Sequence, residues 1–159
     1  MIMKRILLTI ACIAMVSVVG YSQSYNTAVG ARVGNSNGAT VKHFIGYKSA
    51  LEGIVSTRWQ GFNLTGLYEL QYPIGNVENF YWFIGAGGHI GAWDGDNNPW
   101  FEDRDDHVVI GIDGIIGMEY TLKEAPLNFG VDWKPSLNLV EHSGFWGDEF
   151  ALSVRFAFK

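Results

Sequence analysis

The 159-residue chain carries 11 basic and 16 acidic side chains, a net charge of -5, with 48% hydrophobic residues, 20 glycines and a single cysteine. One cysteine excludes a disulfide framework and a cysteine-ligated zinc site, and the acidic balance argues against a nucleic-acid partner. The 14% aromatic content excludes a disordered chain, and the length fits one domain.

Residues 1–22 read as a cleavable secretory signal peptide. Lys4 and Arg5 form its charged start, Ile6 to Val19 its apolar run, and Gly20 and Ser22 supply small residues for cleavage before Gln23. The run is shorter than the roughly 20 residues of a spanning helix. Cys12 lies inside it, away from a lipidation position. The expected division is a signal peptide at 1–22 and one domain at 23–159.

From there on, apolar residues recur with period two, which places one class of side chain on each face of a strand. Thr27, Val29, Ala31 and Val33 oppose Asn26, Gly30 and Arg32, and a turn cluster at 34–38 follows. Val41, Ile45 and Tyr47 oppose Lys42, with His43 and Phe44 breaking the pattern. Leu51, Val55, Thr57 and Trp59 oppose Glu52, Ser56 and Arg58, with Ile54 on the polar side. Phe62, Leu64, Tyr68, Leu70 and Tyr72 oppose Asn63, Thr65, Glu69 and Gln71. Phe80, Trp82, Ile84, Ala86 and Ile90 oppose a mixed face of Tyr81, Phe83, glycines and His89. Val108, Ile110, Ile112, Ile116, Met118 and Tyr120 oppose Gly111, Asp113, Gly117 and Glu119. Leu127, Phe129, Val131 and Trp133 oppose Asn128, Gly130, Asp132 and Lys134. Pro135 cannot donate to a ladder, so a bulge or an end of regular pairing is expected there, with Ser136 to Leu139 beyond the membrane or in changed phase. Finally Phe150, Leu152, Val154, Phe156 and Phe158 oppose Ala151, Ser153, Arg155, Ala157 and Lys159.

These are eight strands. The short turns at 47–49, 73–79 and 123–126 fall at one end, and the two long connections, 94–106 and 140–148, are the fifth and seventh and fall at the other, the pattern of an outer-membrane barrel. An even strand number closes the sheet and leaves no unpaired edge. The polar face carries Arg32, Lys42, Arg58, Lys134 and Arg155 with Glu52, Glu69, Asp113, Glu119 and Asp132, five of each sign among small residues. Such a face suits the interior of a narrow barrel as a paired charge network. Tyr47, Tyr72, Phe80, Trp82, Tyr120, Phe156 and Phe158 band the apolar face near one end, as a girdle does at a membrane interface. The expected fold is therefore all-β: a single antiparallel up-and-down transmembrane β-barrel of eight strands behind a cleavable signal peptide. A soluble lipocalin-like barrel would turn the apolar face inward.

With its leader, strand count, girdle and the ending Ser153-Val154-Arg155-Phe156-Ala157-Phe158-Lys159, the chain resembles the small eight-stranded outer-membrane β-barrel proteins of Gram-negative bacteria, of the OmpA/OmpX-like type. The Gln at the expected mature N-terminus is similar to exported proteins of the Bacteroidota. The resemblance implies residence in the bacterial outer membrane, contact with its lipid, and recognition of Phe156 and Phe158 by the barrel-assembly machinery during biogenesis. In this sequence Phe158 is penultimate and Lys159 follows it. Because this scaffold carries adhesins, anchors and enzymes, it implies no single activity. The expectation is a non-enzymatic protein with a structural or surface-interaction role. The alternatives are an outer-membrane lipid-modifying enzyme, a narrow small-solute pore and a soluble ligand-binding barrel.

Three places invite a chemical reading. In the acidic loop 94–106, Asp94, Asp96, Asn98 and Asp105 stand at positions 1, 3, 5 and 12 of a calcium-loop spacing, but Pro99 occupies the position that needs glycine. The loop reads as a solvated surface, with cation binding the alternative, and its Trp100-Phe101 tip can meet lipid headgroups or a partner. Glu141-His142-Ser143 sets histidine beside serine, but neighbours on a strand face opposite ways and nothing supplies an oxyanion hole, so no catalytic residue is expected. His89 and His107 are expected to join the interior network or cap it. No cofactor and no metal are expected, and any surface partner would meet loops 94–106 and 140–148.

Overall fold

A computed structural model describes residues 25–58, 61–93, 107–140 and 144–159. Its strands are β1 (Thr27–Gly34), β2 (Asn37–Phe44), β3 (Ser49–Arg58), β4 (Gly61–Pro73), β5 (Phe80–Trp93), β6 (His107–Thr121), β7 (Leu127–Trp133), β8 (Ser136–Asn138), β9 (Gly144–Trp146) and β10 (Phe150–Phe158). All pairings are antiparallel: each of β1 to β6 pairs with the next, β6 also with β8, β8 with β9 and β7 with β10, and β10 returns to β1 with Thr27 opposite Phe158 and Gly34 opposite Ala151. Together with the β5–β6 pairing this closes the sheet into an eight-stranded barrel. β7 with β8 makes one stave and β9 with β10 another. Every strand but β9, which pairs with β8 alone, finds two neighbours, and this satisfies the backbone groups of the closed staves.

The strands are tilted. The row of paired residues through Gly34, Ala151, Asp132, Gly117, Phe83 and Gln71 starts at the far end of β1 and reaches the short-turn end of β4. This stagger is what a closed barrel of eight staves requires. Stave lengths are uneven: β1 and β2 have 8 residues each, β4 has 13, β5 14 and β6 15.

Pro135 interrupts the seventh stave as its missing N–H dictates, but the phase does not change. Trp133 pairs with Ile116, and Ser136 pairs with Asp113 in the same register. The Pro135 carbonyl still accepts from Gly114 N–H at 2.9 Å, so the proline costs one donor and no slip. Ser136 and Asn138 stay buried while Leu137 and Leu139 stay exposed. The irregularity lies opposite, in the last stave. Phe150 pairs with Trp133, yet Trp146 pairs with Ser136, so residues 147–149 contain one residue more than the facing chain. That bulge reverses the phase: Phe145 faces out and Glu149 faces in. Residues 144–146 of the expected long connection 140–148 thus form a strand, β9, paired with β8, and 141–143 lie outside the described residues.

Candidate functional site: the charged interior

Each strand delivers its even or odd residues to the lumen, and the lumen is where the charges are. On β10, Arg155 is 1% exposed while its neighbour Val154 is 45% exposed. Arg32, Lys42, Glu52, Glu69, Asp113, Glu119, Asp132 and Lys134 are likewise buried. The Arg58 side chain lies outside the described residues. The five-to-five charge balance expected from sequence is not what the described lumen holds. Glu149, which continues the inward parity of Ala151, Ser153 and Arg155, makes six carboxyl groups face Arg32, Lys42, Lys134 and Arg155.

The network has two tiers. Nearer the short turns, Glu119 Oε1 accepts from Tyr25 Oη at 2.5 Å and Gln71 Nε2 at 2.7 Å, and Glu119 Oε2 from Lys42 Nζ at 3.0 Å. Lys42 Nζ also lies 2.7 Å from Glu69. Arg155 donates to Glu52 Oε1 at 2.6 Å and to Asn128 Oδ1 at 3.2 Å, and Thr40 donates to the same Glu52 oxygen. Farther up, Arg32 joins Asp132 and Glu149, and Lys134 joins Glu149 at 3.2 Å and Asp113 at 3.0 Å. His89 Nδ1 lies 2.7 Å from Asp113 Oδ2, and Nε2 lies 3.0 Å from Asn138 Oδ1. The lower tier thus links six staves and the upper tier five through charge-assisted bonds, which offset the exclusion of such groups from water.

Beside the tiers sits a small apolar cluster, Ile54, Leu67, Phe83 and Ile115, one from each of β3 to β6. Ile54 and Phe83, the misfits of the polar face in sequence, fill the lumen here. Phe83 has room because Gly117 stands beside it: a Cβ there would come within 2.6 Å of the ring. Sequence reasoning missed Glu149, because it stands one residue before the expected start of the last strand although it shares the inward parity of Ala151 and Arg155, and Tyr25, because it precedes the first strand.

The outer face is the reverse. Val29, Val41, Leu51, Leu64, Ile84, Ile110, Val131 and Leu152 all expose a third or more of their surface. The expected girdle residues gather beside the short turns. Tyr72 stacks on Trp82 with centroids 5.0 Å apart, Phe80 meets Tyr120 edge-on at 6.3 Å, and Phe156 lies 4.9 Å from Phe158. Tyr47 stands almost fully exposed in the turn between β2 and β3. No described helix is long and apolar enough to cross a membrane, which leaves crossing by strands open.

No family model, curated protein or solved structure matches the chain. Asp94, Asp96, Asn98 and Asp105, with the rest of 94–106, lie outside the described residues, as do His142, Ser143 and the His107 side chain. Among the described residues no group of three or more acidic, histidine or cysteine side chains is arranged to hold a metal ion.

Proposed function

We propose that this protein is an integral barrel of the bacterial outer membrane, of the small Gram-negative type, exported by a signal peptide at 1–22. Its role is structural or surface-interacting rather than enzymatic. One observation carries the reading: the barrel is inside-out, with ion pairs in its lumen and Val, Leu, Ile and aromatic side chains over its outside. A soluble ligand-binding barrel has the opposite arrangement, since exposing such a surface to water opposes folding, whereas lipid tails accept it. The girdle at the short-turn end supports the same reading, because amphipathic rings settle at a membrane interface. In this reading the short turns face the periplasm, and Phe156 and Phe158 serve the assembly machinery. The lumen supports a plug rather than a wide channel, because long charged side chains and an apolar cluster fill its cross-section.

The test is fractionation of expressing cells with a gel-shift assay. The protein is expected in the outer-membrane fraction and to migrate differently before and after boiling. A soluble protein with unshifted migration would overturn the reading. Unchanged lipid A in cells lacking the protein is the result expected for a non-enzymatic role.

A further inference from the structure

We propose that the lower charge tier binds one proton, shared between the carboxyl groups of Glu52 and Glu69. The proposal concerns the lumen alone and does not depend on whether lipid or water covers the outer face.

Its first basis is an imbalance of charge. The lower tier holds Glu52 on β3, Glu69 on β4 and Glu119 on β6, and its cations are Lys42 on β2 and Arg155 on β10; none of the five is more than 2% exposed. β5 presents the Phe83 ring to the tier and β7 presents Asn128, while Tyr25, ahead of β1, contributes a hydroxyl that donates to Glu119. Arg32 of β1 and Asp132 of β7, the next charges above, pair with each other. Three ionised carboxyl groups against two cations would leave one negative charge uncompensated and shut away from water, which is costly. The upper tier has the same count, Asp113, Asp132 and Glu149 against Arg32 and Lys134, but there His89 stands on Asp113. Among the described residues the lower tier has no histidine.

The second basis is a shortage of donors at one place. Glu119 is fully served, by Tyr25 and Gln71 on Oε1 and by Lys42 on Oε2. Glu52 Oε1 takes Arg155 and Thr40. Lys42 is used up by Glu119, by its ion pair with Glu69 Oε2 and by the Phe83 ring. Of the three carboxyl groups, only Glu52 and Glu69 keep buried oxygens without a donor: Glu52 Oε2 and both oxygens of Glu69, of which Oε2 has the ion-pair contact alone. These two groups are diagonal neighbours on the inward face of adjacent staves, since Glu52 pairs with Leu67 and Ala50 with Glu69. They are hydrogen-bonded to each other. Ionised carboxylates only accept, so two of them bond only through a proton that the pair retains, and like charges in contact favour its retention. One proton therefore supplies the donor that both groups lack and brings the tier to neutrality. A metal ion in its place would stand against the Lys42 ammonium and would lack a group of acidic ligands arranged around it, since the described residues form none.

The test is infrared spectroscopy of the folded protein, taken from cells expressing the full chain, in neutral buffer where exposed carboxyl groups are ionised. Wild type is expected to show the carbonyl stretch of a protonated carboxyl group. Glu69→Gln is expected to lose one group's share of that band, and Glu149→Gln, in the upper tier, to keep it. No such band in wild type, or an unchanged band in Glu69→Gln, would overturn the proposal. Urea unfolding, with folding scored by gel shift, gives a second measurement. In Glu69→Gln the side-chain amide can donate to Glu52 while its oxygen accepts from Lys42, as a carboxyl holding the shared proton does, so the midpoint should match wild type. Glu119→Gln sets an amide against the donors Tyr25, Gln71 and Lys42 and should shift the midpoint to lower urea. An equal downward shift in the two variants, or failure of Glu69→Gln alone to fold, would show that Glu69 serves only as an ionised partner of Lys42, and the shared proton would be ruled out.

Discussion

The Lys42 ammonium sits 4.0 Å from the centroid of the Phe83 ring, deep in the lumen, with Glu69 and Glu119 on its other sides. This contact joins the lower charge tier to the apolar cluster. A buried cation with two carboxylates still has a face without a donor or acceptor, and the π-face of Phe83 fills it. A desolvated cation–π contact contributes about 2 kcal/mol, and shrinking the ring adds a cavity cost. Phe83→Leu is therefore expected to lower stability by about 2–4 kcal/mol in urea unfolding from detergent micelles. Ile54→Val, in the same cluster without a cation contact, should cost only about 1 kcal/mol. Equal losses from the two changes would show that the ring matters only for its volume.

Arg155 is the second anchor of that tier, reaching Glu52 across from β10 to β3 and Glu119 at 3.8 Å. Arg155→Ala leaves Glu52 buried without its main cation. Breaking one partner of a buried pair costs about 3–5 kcal/mol, whereas replacing both partners is often neutral. Arg155→Met combined with Glu52→Gln is thus expected to recover much of the loss, read as the temperature at which the folded gel band disappears. A double variant no better than Arg155→Ala would mean that the pair is not the unit that matters.

The strand pattern was legible because outward-facing and lumen-facing classes differ so sharply. Arg155 among Val154 and Phe156 needs no tertiary context, and the eight staves follow from it. Two kinds of feature were not legible. Phe145 turns outward only because one extra residue between Trp146 and Glu149 reverses the phase of β9, and a bulge leaves no composition signal when Gly147-Asp148 already reads as a loop. Conversely, Pro135 signalled an irregularity that its surroundings absorbed, since only one N–H was at stake. Which cation meets which carboxylate also depends on the stagger of the barrel, which fixes what lies opposite across the lumen and cannot be read along one strand.

Outside the lumen, Lys123 in the turn before β7 bonds Glu78 in the turn before β5. The neighbouring ammonium holds the Glu78 carboxyl below its ordinary range and is itself raised. A depressed acid stabilises the fold above its unfolded value, and that contribution is lost as pH falls through the lowered one. The raised lysine mirrors this, its contribution lost as pH rises through the raised value. Both side chains are more than half exposed, so the gain is small and screened by salt. Lys123→Met is expected to return the Glu78 titration, followed by NMR, to the ordinary carboxylate range, with little change in unfolding. An unmoved midpoint would show that the pair does not form in solution.

Gly66 and Gly87 stand close together on β4 and β5 and should respond oppositely to a methyl group. A Cβ on Gly66 would project outward with nothing within 4 Å, whereas a Cβ on Gly87 would fall 1.8 Å from the Gly66 carbonyl oxygen and 2.8 Å from the Leu67 Cα. Those contacts are backbone, so relief requires the two staves to part, which breaks ladder bonds between them. Gly66→Ala is expected to fold as wild type or slightly better, since alanine lowers the entropy of the unfolded chain. Gly87→Ala is expected to lose well over 1 kcal/mol or fail to fold, as overpacking does where nothing flexible can yield. Folding yield in detergent, scored by gel shift, separates them, and equal yields would place the inward approach of β4 and β5 in error.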